Sequence, residues 1–279
     1  MDQTINDVFA RQSKRYGNRL AIEKKTNGQW HKATWTQYYE RARETGLGLT
    51  HLGIRKGDRV SLLSENRLEW LYTDMGTLGV GGIVVTIYPS LTADEIAYIV
   101  DNSGTKVLVV EDAAQLTKAR EAWPQCPTLE HIVVMAPAEP DERETGVISF
   151  TDLMAAGRKR LSENPDLFEQ LSEAVTPHDM ATLVYTSGTT GVPKGAMITH
   201  RNVIYQLAAG MDALDVHDGD EQLCFLPLCH ILERLVTVYA QLGVGLTINF
   251  AESVETVFDN LREVSPHTFT AVPRVWEKV

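Results

Sequence analysis

One stretch of ten residues combines glycines, hydroxyl side chains and a lysine in a pattern suited to binding an anion. It covers residues 186–195, reads TSGTTGVPKG, and contains three glycines, four hydroxyl residues and one lysine. Glycines let backbone N–H groups approach phosphate oxygens closely. The hydroxyls donate hydrogen bonds and can reach a phosphate-bound cation, while a lysine adds a positive charge. The chemistry expected at this segment, called the anion loop below, is therefore phosphate binding.

The residue order separates the anion loop from a Walker A loop. A Walker A loop ends in Gly-Lys-Ser/Thr and runs directly into a helix. Here the order is Pro193, Lys194, Gly195, and residues 196–199 have the composition of a strand. The next helix is predicted to begin only near His200, where His200 and Arg201 are both candidates for phosphate contact. The sequence thus predicts a strand–loop–strand phosphate clamp, and the alternative is a surface loop without a ligand.

Short apolar runs alternate with segments of helical periodicity along most of the chain. Thr92 followed three residues later by Glu95 is a capping box at the start of one such helix. Repeated strand–helix–strand units indicate an α/β fold with mostly parallel sheets and helices on both faces. The predicted strands lie at 59–64, 83–89, 106–111, 131–136, 180–187, 222–227, 246–250 and 268–273.

Two segments depart from this alternation. Asn27-Gly28 between two short apolar runs predicts an antiparallel hairpin near the N-terminus. Residues 137–146 are acidic and contain prolines, which is typical of an exposed loop. This loop joins the predicted subregions 1–136 and 147–279. The chain stops in the first turns of a predicted helix, so we expect it to be the N-terminal part of a longer protein.

Composition and charge exclude several classes of protein. The 279 residues carry a net charge of −11, which argues against nucleic acid as a partner. The first 60 residues nevertheless hold 12 basic and 6 acidic residues. One interpretation is peripheral contact with the anionic inner face of a membrane. The other is a solvated charged surface.

The cysteines and the apolar segments indicate a cytoplasmic protein. The three cysteines, Cys126, Cys224 and Cys229, are odd in number and lack a zinc-type spacing, so they are predicted to be small, reduced core residues. The N-terminus lacks the apolar core of a secretory signal, and no apolar run is long enough for a membrane span.

Several stretches together resemble the adenylate-forming (AMP-binding) superfamily. The anion loop matches its most specific motif. Within the superfamily the chain is most similar to the N-terminal half of bacterial long-chain fatty-acid–CoA ligases. The stretches that carry this narrower resemblance are SENRLEW (64–70), IYPSLT (87–92), LPLCHILER (226–234) and VPRVWEK (272–278).

The resemblance implies ATP-dependent activation of a long-chain fatty acid to acyl-AMP and then to acyl-CoA, with Mg²⁺ and coenzyme A. It implies that Lys194 neutralises the leaving pyrophosphate and that Thr189 contacts Mg²⁺. It also implies that His230 lies beside the acyl carboxylate, orienting or gating the substrate. Lys194 and His230 are thus the catalytic candidates. The nucleotide-binding candidates are Thr186, Ser187, Gly188, Thr189, Thr190, Gly191, Lys194 and Gly195.

The resemblance covers only the first half of the family's usual length. The family's acidic Mg²⁺ ligand, its ribose-binding aspartate and its small C-terminal domain would lie beyond Val279, so residues 1–279 alone are expected to be inactive. Two alternatives stay open: an acyl-adenylating enzyme with a carrier-protein acceptor, and a non-catalytic nucleotide-binding module. The sequence indicates neither the acyl chain length nor the oligomeric state.

Overall fold

The computed structural model describes residues 3–136, 145–186, 191–213 and 215–277. The strands are β1 (Leu20–Thr26), β2 (Gln29–Thr34), β3 (Arg59–Leu63), β4 (Ile83–Ile87), β5 (Thr105–Val110), β6 (His131–Val134), β7 (Val147–Ser149), β8 (Met180–Thr186), β9 (Lys194–Thr199), β10 (Glu221–Cys224), β11 (Thr247–Phe250) and β12 (Thr268–Phe269). The helices are α1 (Ile5–Tyr16), α2 (Trp35–His51), α3 (Leu68–Gly79), α4 (Ala93–Ser103), α5 (Ala113–Ala122), α6 (Phe150–Glu163), α7 (Leu167–Glu173), α8 (His200–Ala213), α9 (Ile231–Arg234), α10 (Ala240–Val244), α11 (Val257–Val264) and α12 (Pro273–Trp276).

The strands form two mixed sheets. The seven-stranded sheet has the order β7-β6-β5-β3-β4-β8-β9, and the five-stranded sheet has the order β12-β10-β11-β1-β2. Among the described residues, the β8–β9 and β1–β2 pairs are antiparallel and the other strand pairs are parallel. The structure therefore confirms the predicted α/β class with mostly parallel sheets.

Both sheets draw strands from both predicted subregions. β1 and β2 join β10–β12, while β8 and β9 extend the sheet built by β3–β7. The division of the sequence near residue 140 thus does not coincide with the division between the sheets.

The core lies in three layers of apolar contacts. The largest buried cluster lies between the two sheets and includes Val60 and Leu62 of β3. A second cluster, which includes Leu63, covers the opposite face of the seven-stranded sheet under α4 and α5. A third packs α11 against the five-stranded sheet. Because side chains alternate along a strand, an apolar strand such as β3 supplies both faces at once.

Local signals in the sequence agree closely with the structure. Asn27 and Gly28 have positive φ values of 50° and 75°, as the hairpin prediction requires. The Thr92–Glu95 capping box is present. The helix that follows β3 starts at Leu68, because Arg67 before it is extended. The sequence patterns do not predict β7, α5, α6 and α7 individually. Residues 137–144 of the predicted acidic loop lie outside the described residues.

Candidate active site

The described parts of the anion loop form the two sides of an antiparallel strand pair. β8 ends at Thr186, β9 begins at Lys194, and these two residues are paired in register. Gly191 has a φ of 98°, a conformation that favours glycine. Ser187, Gly188, Thr189 and Thr190 lie outside the described residues. The strand–loop–strand setting is confirmed, since β9 and not a helix follows the loop.

Two tyrosines support the base of the anion loop. The Tyr185 hydroxyl donates to Asn102 Oδ1 at 2.7 Å, and the Tyr98 hydroxyl donates to the Pro193 carbonyl at 3.0 Å. A Cβ at Gly195 would lie 3.1 Å from Cζ of the Tyr185 ring, so the glycine allows this ring to pack against β9. α4, which carries Tyr98 and Asn102, therefore holds both sides of the loop.

Lys194 presents a positive charge at this edge of the sheet. Its side chain is exposed, as is that of Thr186 on the opposite strand. Lys194 forms no ion pair with another described residue. An exposed ammonium without an internal partner beside a glycine-containing loop is chemically suited to a phosphate group.

His230 is the N-cap residue of α9 and is exposed. Its Nδ1 accepts a hydrogen bond from the Leu232 backbone N–H at 3.2 Å and so caps the helix. A neutral imidazole whose Nδ1 is an acceptor carries its proton on Nε2. His230 therefore offers an Nε2–H donor, which suits it to hydrogen-bond an anionic oxygen.

Strand register places His230 and the anion loop at the same edge of the seven-stranded sheet. The Thr86 hydroxyl of β4 donates to the carbonyl of Cys229 at 3.0 Å. Thr86 is in register with Val184, two residues before Thr186 on the neighbouring strand. Adjacent strands lie about 4.8 Å apart. Ligands of α/β folds typically bind at this carboxyl edge of parallel strands.

His200 does not contribute to this edge, contrary to the prediction that it is a candidate for phosphate contact. It is fully buried, and its Nδ1 accepts from the Ile5 backbone N–H at 3.2 Å. Burial lowers the pKa of His200 to about 4, so the imidazole is neutral at physiological pH. Its role is to join α1 to the start of α8, while the neighbouring Arg201 is exposed.

Comparisons with known proteins identify the family of this chain. The family model described as "AMP-binding enzyme" matches residues 9–279. The chain belongs to the AMP-binding enzyme family. It is 32% identical to the long-chain-fatty-acid–CoA ligase ACSBG2 of Xenopus laevis over 99% of this chain and 38% of that protein. It is 31% identical to ACSBG1 of Bos taurus, another long-chain-fatty-acid–CoA ligase, over 99% of this chain and 39% of that protein.

Solved structures show the same fold. The inhibitor-bound N-terminal domain of FACL13 from Mycobacterium tuberculosis aligns with a TM-score of 0.78 and 25% identity, over 98% of this chain and 63% of that one. The long-chain-fatty-acid–CoA ligase FadD1 of Archaeoglobus fulgidus aligns with a TM-score of 0.81 and 21% identity, over 97% of this chain and 52% of that one. This AMP-binding enzyme chain therefore spans about two fifths of the length of the curated relatives above.

A cavity of about 800 Å³ in this AMP-binding enzyme lies between the carboxyl ends of β1, β3, β5, β10 and β11. Neither Lys194 nor His230 lines it. Lys24, at its wall, donates from Nζ to the Ala251 carbonyl at 2.7 Å, and burial lowers the pKa of this lysine. Burial and the nearby Glu111 raise the pKa of Glu65 on another wall. The cavity thus has a polar wall of mixed charge next to the carboxyl edge.

Buried side chains hold the His230 segment (residues 226–234), and neither Asn66 nor Asp74 is among the candidates predicted from the sequence. Asn66 Nδ2 donates to the Leu226 carbonyl at 2.7 Å, and the Leu228 N–H donates to Asn66 Oδ1 at 2.9 Å. Arg234 forms a buried ion pair with Asp74 of α3. The available signal was Asp74 itself, an acidic residue in the otherwise uncharged second half of α3.

The basic residues of the N-terminal region are largely neutralised within the fold. Arg19 pairs with Asp218 at 2.8 Å, Lys25 with Glu263 at 2.6 Å, and Lys56 with Asp179 at 2.7 Å. Further pairs join Lys32 to Glu23, Arg41 to Glu44, and Arg43 to Glu169. The folded N-terminal region therefore exposes less unpaired positive charge than its sequence composition indicates.

The remaining predictions concern metals, cysteines and membranes. All three cysteines are free and buried, as predicted. Within the described parts of the chain, no three His, Cys, Asp or Glu side chains are grouped so as to hold a metal ion. None of the described helices combines the length and the apolar character needed to cross a bilayer.

Proposed function

We propose that the chain forms part of an ATP-dependent long-chain fatty-acid–CoA ligase. In the first half-reaction a carboxylate oxygen of the fatty acid attacks the α-phosphorus of ATP, forming acyl-AMP and releasing pyrophosphate. In the second, the thiol of coenzyme A attacks the acyl carbon, forming the thioester and releasing AMP. The observation that carries the proposal is the placement of the anion loop, with its exposed Lys194, and of the His230 donor at one edge of the sheet.

Electrostatic stabilisation is the main task of these residues. The anion loop would hold the β- and γ-phosphates through its backbone N–H groups and hydroxyls. Lys194 would balance the charge that develops on the leaving pyrophosphate. The His230 Nε2–H would orient the fatty-acid carboxylate toward phosphorus. Thr189 is the proposed protein contact for Mg²⁺, which when bound would neutralise phosphate charge.

We also propose a cytoplasmic location, because the three cysteines are free and buried. A peripheral contact with the inner face of the membrane rests on the basic N-terminal region alone. It predicts that co-sedimentation with anionic vesicles decreases as salt increases, because exposed charges are screened. Binding that is independent of both salt and anionic lipid would remove its basis.

Fatty-acid-dependent ATP–pyrophosphate exchange tests the proposed activity. The assay compares residues 1–279 with the product of the complete reading frame that contains them. We expect exchange with a long-chain fatty acid in the complete product, followed by release of an acyl thioester on addition of coenzyme A. Exchange without acyl-CoA formation, but with transfer to a carrier-protein thiol, would favour the carrier-protein alternative. ATP binding without exchange in either protein would favour a non-catalytic module.

A further inference from the structure

Arg234 and Asp74 are the most deeply buried charged side chains among the described residues near the candidate site. Arg234 lies four residues after His230 and is 1% exposed, while its partner Asp74 is fully buried. The guanidinium bonds both carboxylate oxygens of Asp74, with 3.2 Å between Nε and Oδ2. Its Nη1 donates to Thr182 Oγ1 at 2.8 Å. The Thr182 hydroxyl in turn donates to the Val84 carbonyl at 2.7 Å.

Aromatic rings restrict the guanidinium further. Its Cζ lies 5.6 Å from the centre of the Trp70 ring and 5.3 Å from that of Tyr239. Both distances fall within the range of cation–π contacts. Asp74 remains ionised at neutral pH: burial raises its pKa to about 6, and the Arg234 guanidinium counteracts a further rise.

Two neighbouring residues of the same helix, Glu233 and Thr237, connect it to the other sheet. The Gln222 amide of β10 donates to Thr237 Oγ1 at 2.7 Å, and the Thr237 hydroxyl donates to Glu233 Oε1 at 2.7 Å. Residues 231–244 are one helical segment, in which a π-helical stretch (Leu235–Tyr239) joins α9 to α10. π-helical turns of this kind often occur at functional sites. The segment therefore bridges the two sheets at defined points.

Stability alone does not explain a buried ion pair at this position. Desolvation of two charges offsets much of their attraction, so well-packed apolar side chains would stabilise the fold at least as well. What the charged pair adds is geometry, because a bidentate arginine accepts only one orientation. Thr182 is four residues before Thr186 on β8, and Arg234 is about one helical turn after His230. The Arg234–Thr182 bond thus joins the strand that enters the anion loop to the helix that begins at His230.

We propose that Arg234, Asp74 and Thr182 are positioning residues that set the place of the His230 imidazole relative to the anion loop. This inference rests on the proposed function for its kinetic consequence. It gives α3 and β8 a role in adenylation although neither Asp74 nor Arg234 would touch the substrate.

Thr182→Val is the decisive variant, because it keeps the side-chain volume and removes only the hydroxyl that links Arg234 to β8. Thr105→Val is the matched control. Thr105 is fully buried in β5 of the same sheet, and its hydroxyl is 2.6 Å from that of Ser61 and 2.8 Å from that of Ser103. We expect both variants to lower the melting temperature similarly. We expect only Thr182→Val to lower kcat for ATP–pyrophosphate exchange, by about tenfold, in the complete reading-frame product.

Arg234→Lys provides a second, stronger perturbation. Lysine keeps the charge but cannot bond both Asp74 oxygens and Thr182 in one plane. We expect a larger loss of kcat than in Thr182→Val. Equal kcat values for Thr182→Val and Thr105→Val would overturn the positioning role, and that result is decisive even where Arg234→Lys does not fold.

A readout independent of turnover separates this inference from the proposed function. Long-range ¹H–¹⁵N spectra report the environment of the His230 ring, which His230→Asn identifies. Thr182→Val is expected to shift the His230 resonances, and Thr105→Val to leave them unchanged. Unshifted resonances in Thr182→Val would refute the positioning role. Shifted resonances in a protein without exchange activity would support the positioning role and refute the proposed ligase.

Discussion

The anion loop and the His230 segment lie at the same edge of the seven-stranded sheet but are held in different ways. The His230 segment is tied by buried side chains: Asn66, Thr86 and Arg234 bond it to the loop after β3, to β4 and to β8. The described flanks of the anion loop are exposed, and Val192 is 57% exposed. Its support comes from Tyr98 and Tyr185 at its base.

This difference matches the tasks proposed for the two segments. A loop that binds phosphate needs accessible N–H groups and a lysine that no internal carboxylate neutralises. A histidine that orients a carboxylate needs a fixed position, which buried hydrogen bonds supply. Substitutions in the anion loop should therefore change the reaction rate with little effect on stability, whereas substitutions in the His230 segment should change both.

The largest expected effect concerns His200, which anchors the end of β9 below the anion loop. An unfolded histidine binds a proton near pH 6.5, whereas burial lowers the pKa of His200 to about 4 in the folded chain. The unfolded state therefore binds more protons between these values. The contribution of the neutral His200 side chain to the free energy of unfolding is therefore complete above pH 6.5. It falls by about 3 kcal/mol as the pH decreases to about 4.

Denaturant titrations at several pH values measure this loss. His200→Gln should remove most of this decrease in the free energy of unfolding, since glutamine does not titrate. His51→Gln, at an exposed position, should show the same decrease as the wild type. The same pH dependence in His200→Gln and the wild type would show that other groups cause the acid destabilisation.

Lys194→Ala should affect the reaction and spare the fold. Losing a positive charge that acts on the leaving pyrophosphate should lower the exchange rate by about 10²-fold or more, and Thr189→Ala should have an effect of similar size. Because Lys194 is exposed, the free energy of unfolding should change by less than about 0.5 kcal/mol. Lys159→Ala, at another exposed lysine, is the control. Unchanged exchange in Lys194→Ala would contradict the assigned role.

Two substitutions at His230 distinguish its role as a helix cap from the role of its Nε2–H group as a hydrogen-bond donor. Asparagine is a good helix N-cap, so His230→Asn should retain stability but lower the exchange rate by about tenfold. His230→Ala should show the same kinetic loss and also destabilise the fold by about 1 kcal/mol. Wild-type exchange in His230→Asn would mean that His230 acts only as a cap.

Tyr98→Phe should have the smallest effect. It removes one exposed hydrogen bond to the Pro193 carbonyl, which contributes about 1 kcal/mol or less. We expect the KM for ATP to rise by two- to threefold as the loop base loosens, with little change in kcat. Tyr205→Phe, at a tyrosine that is 76% exposed, is the matched control. A large fall in kcat for Tyr98→Phe would show that the loop base is as tightly specified as the His230 segment.

Local patterns were sufficient for much of the fold and for part of the site. The Asn27-Gly28 hairpin, the Thr92 capping box and the strand after the anion loop each depend on a few neighbouring residues. Sequence reasoning also identified Lys194 and His230 as candidates through a motif resemblance. It misplaced His200, because a histidine that begins a helix after a phosphate loop has the same local sequence whether it faces solvent or α1.

The sequence by itself determined the order of most strands and helices, because side chains that alternate with periods of 2 and 3.6 residues are close together along the chain. Tertiary structure alone decided which distant side chains meet. Asp74 and Arg234 are 160 positions apart, and Ile5 and His200 are 195 positions apart. Such pairs depend on strand order and on the register of packed helices. The physical reason is that a buried charge or imidazole is tolerated only where the assembled fold supplies its partner.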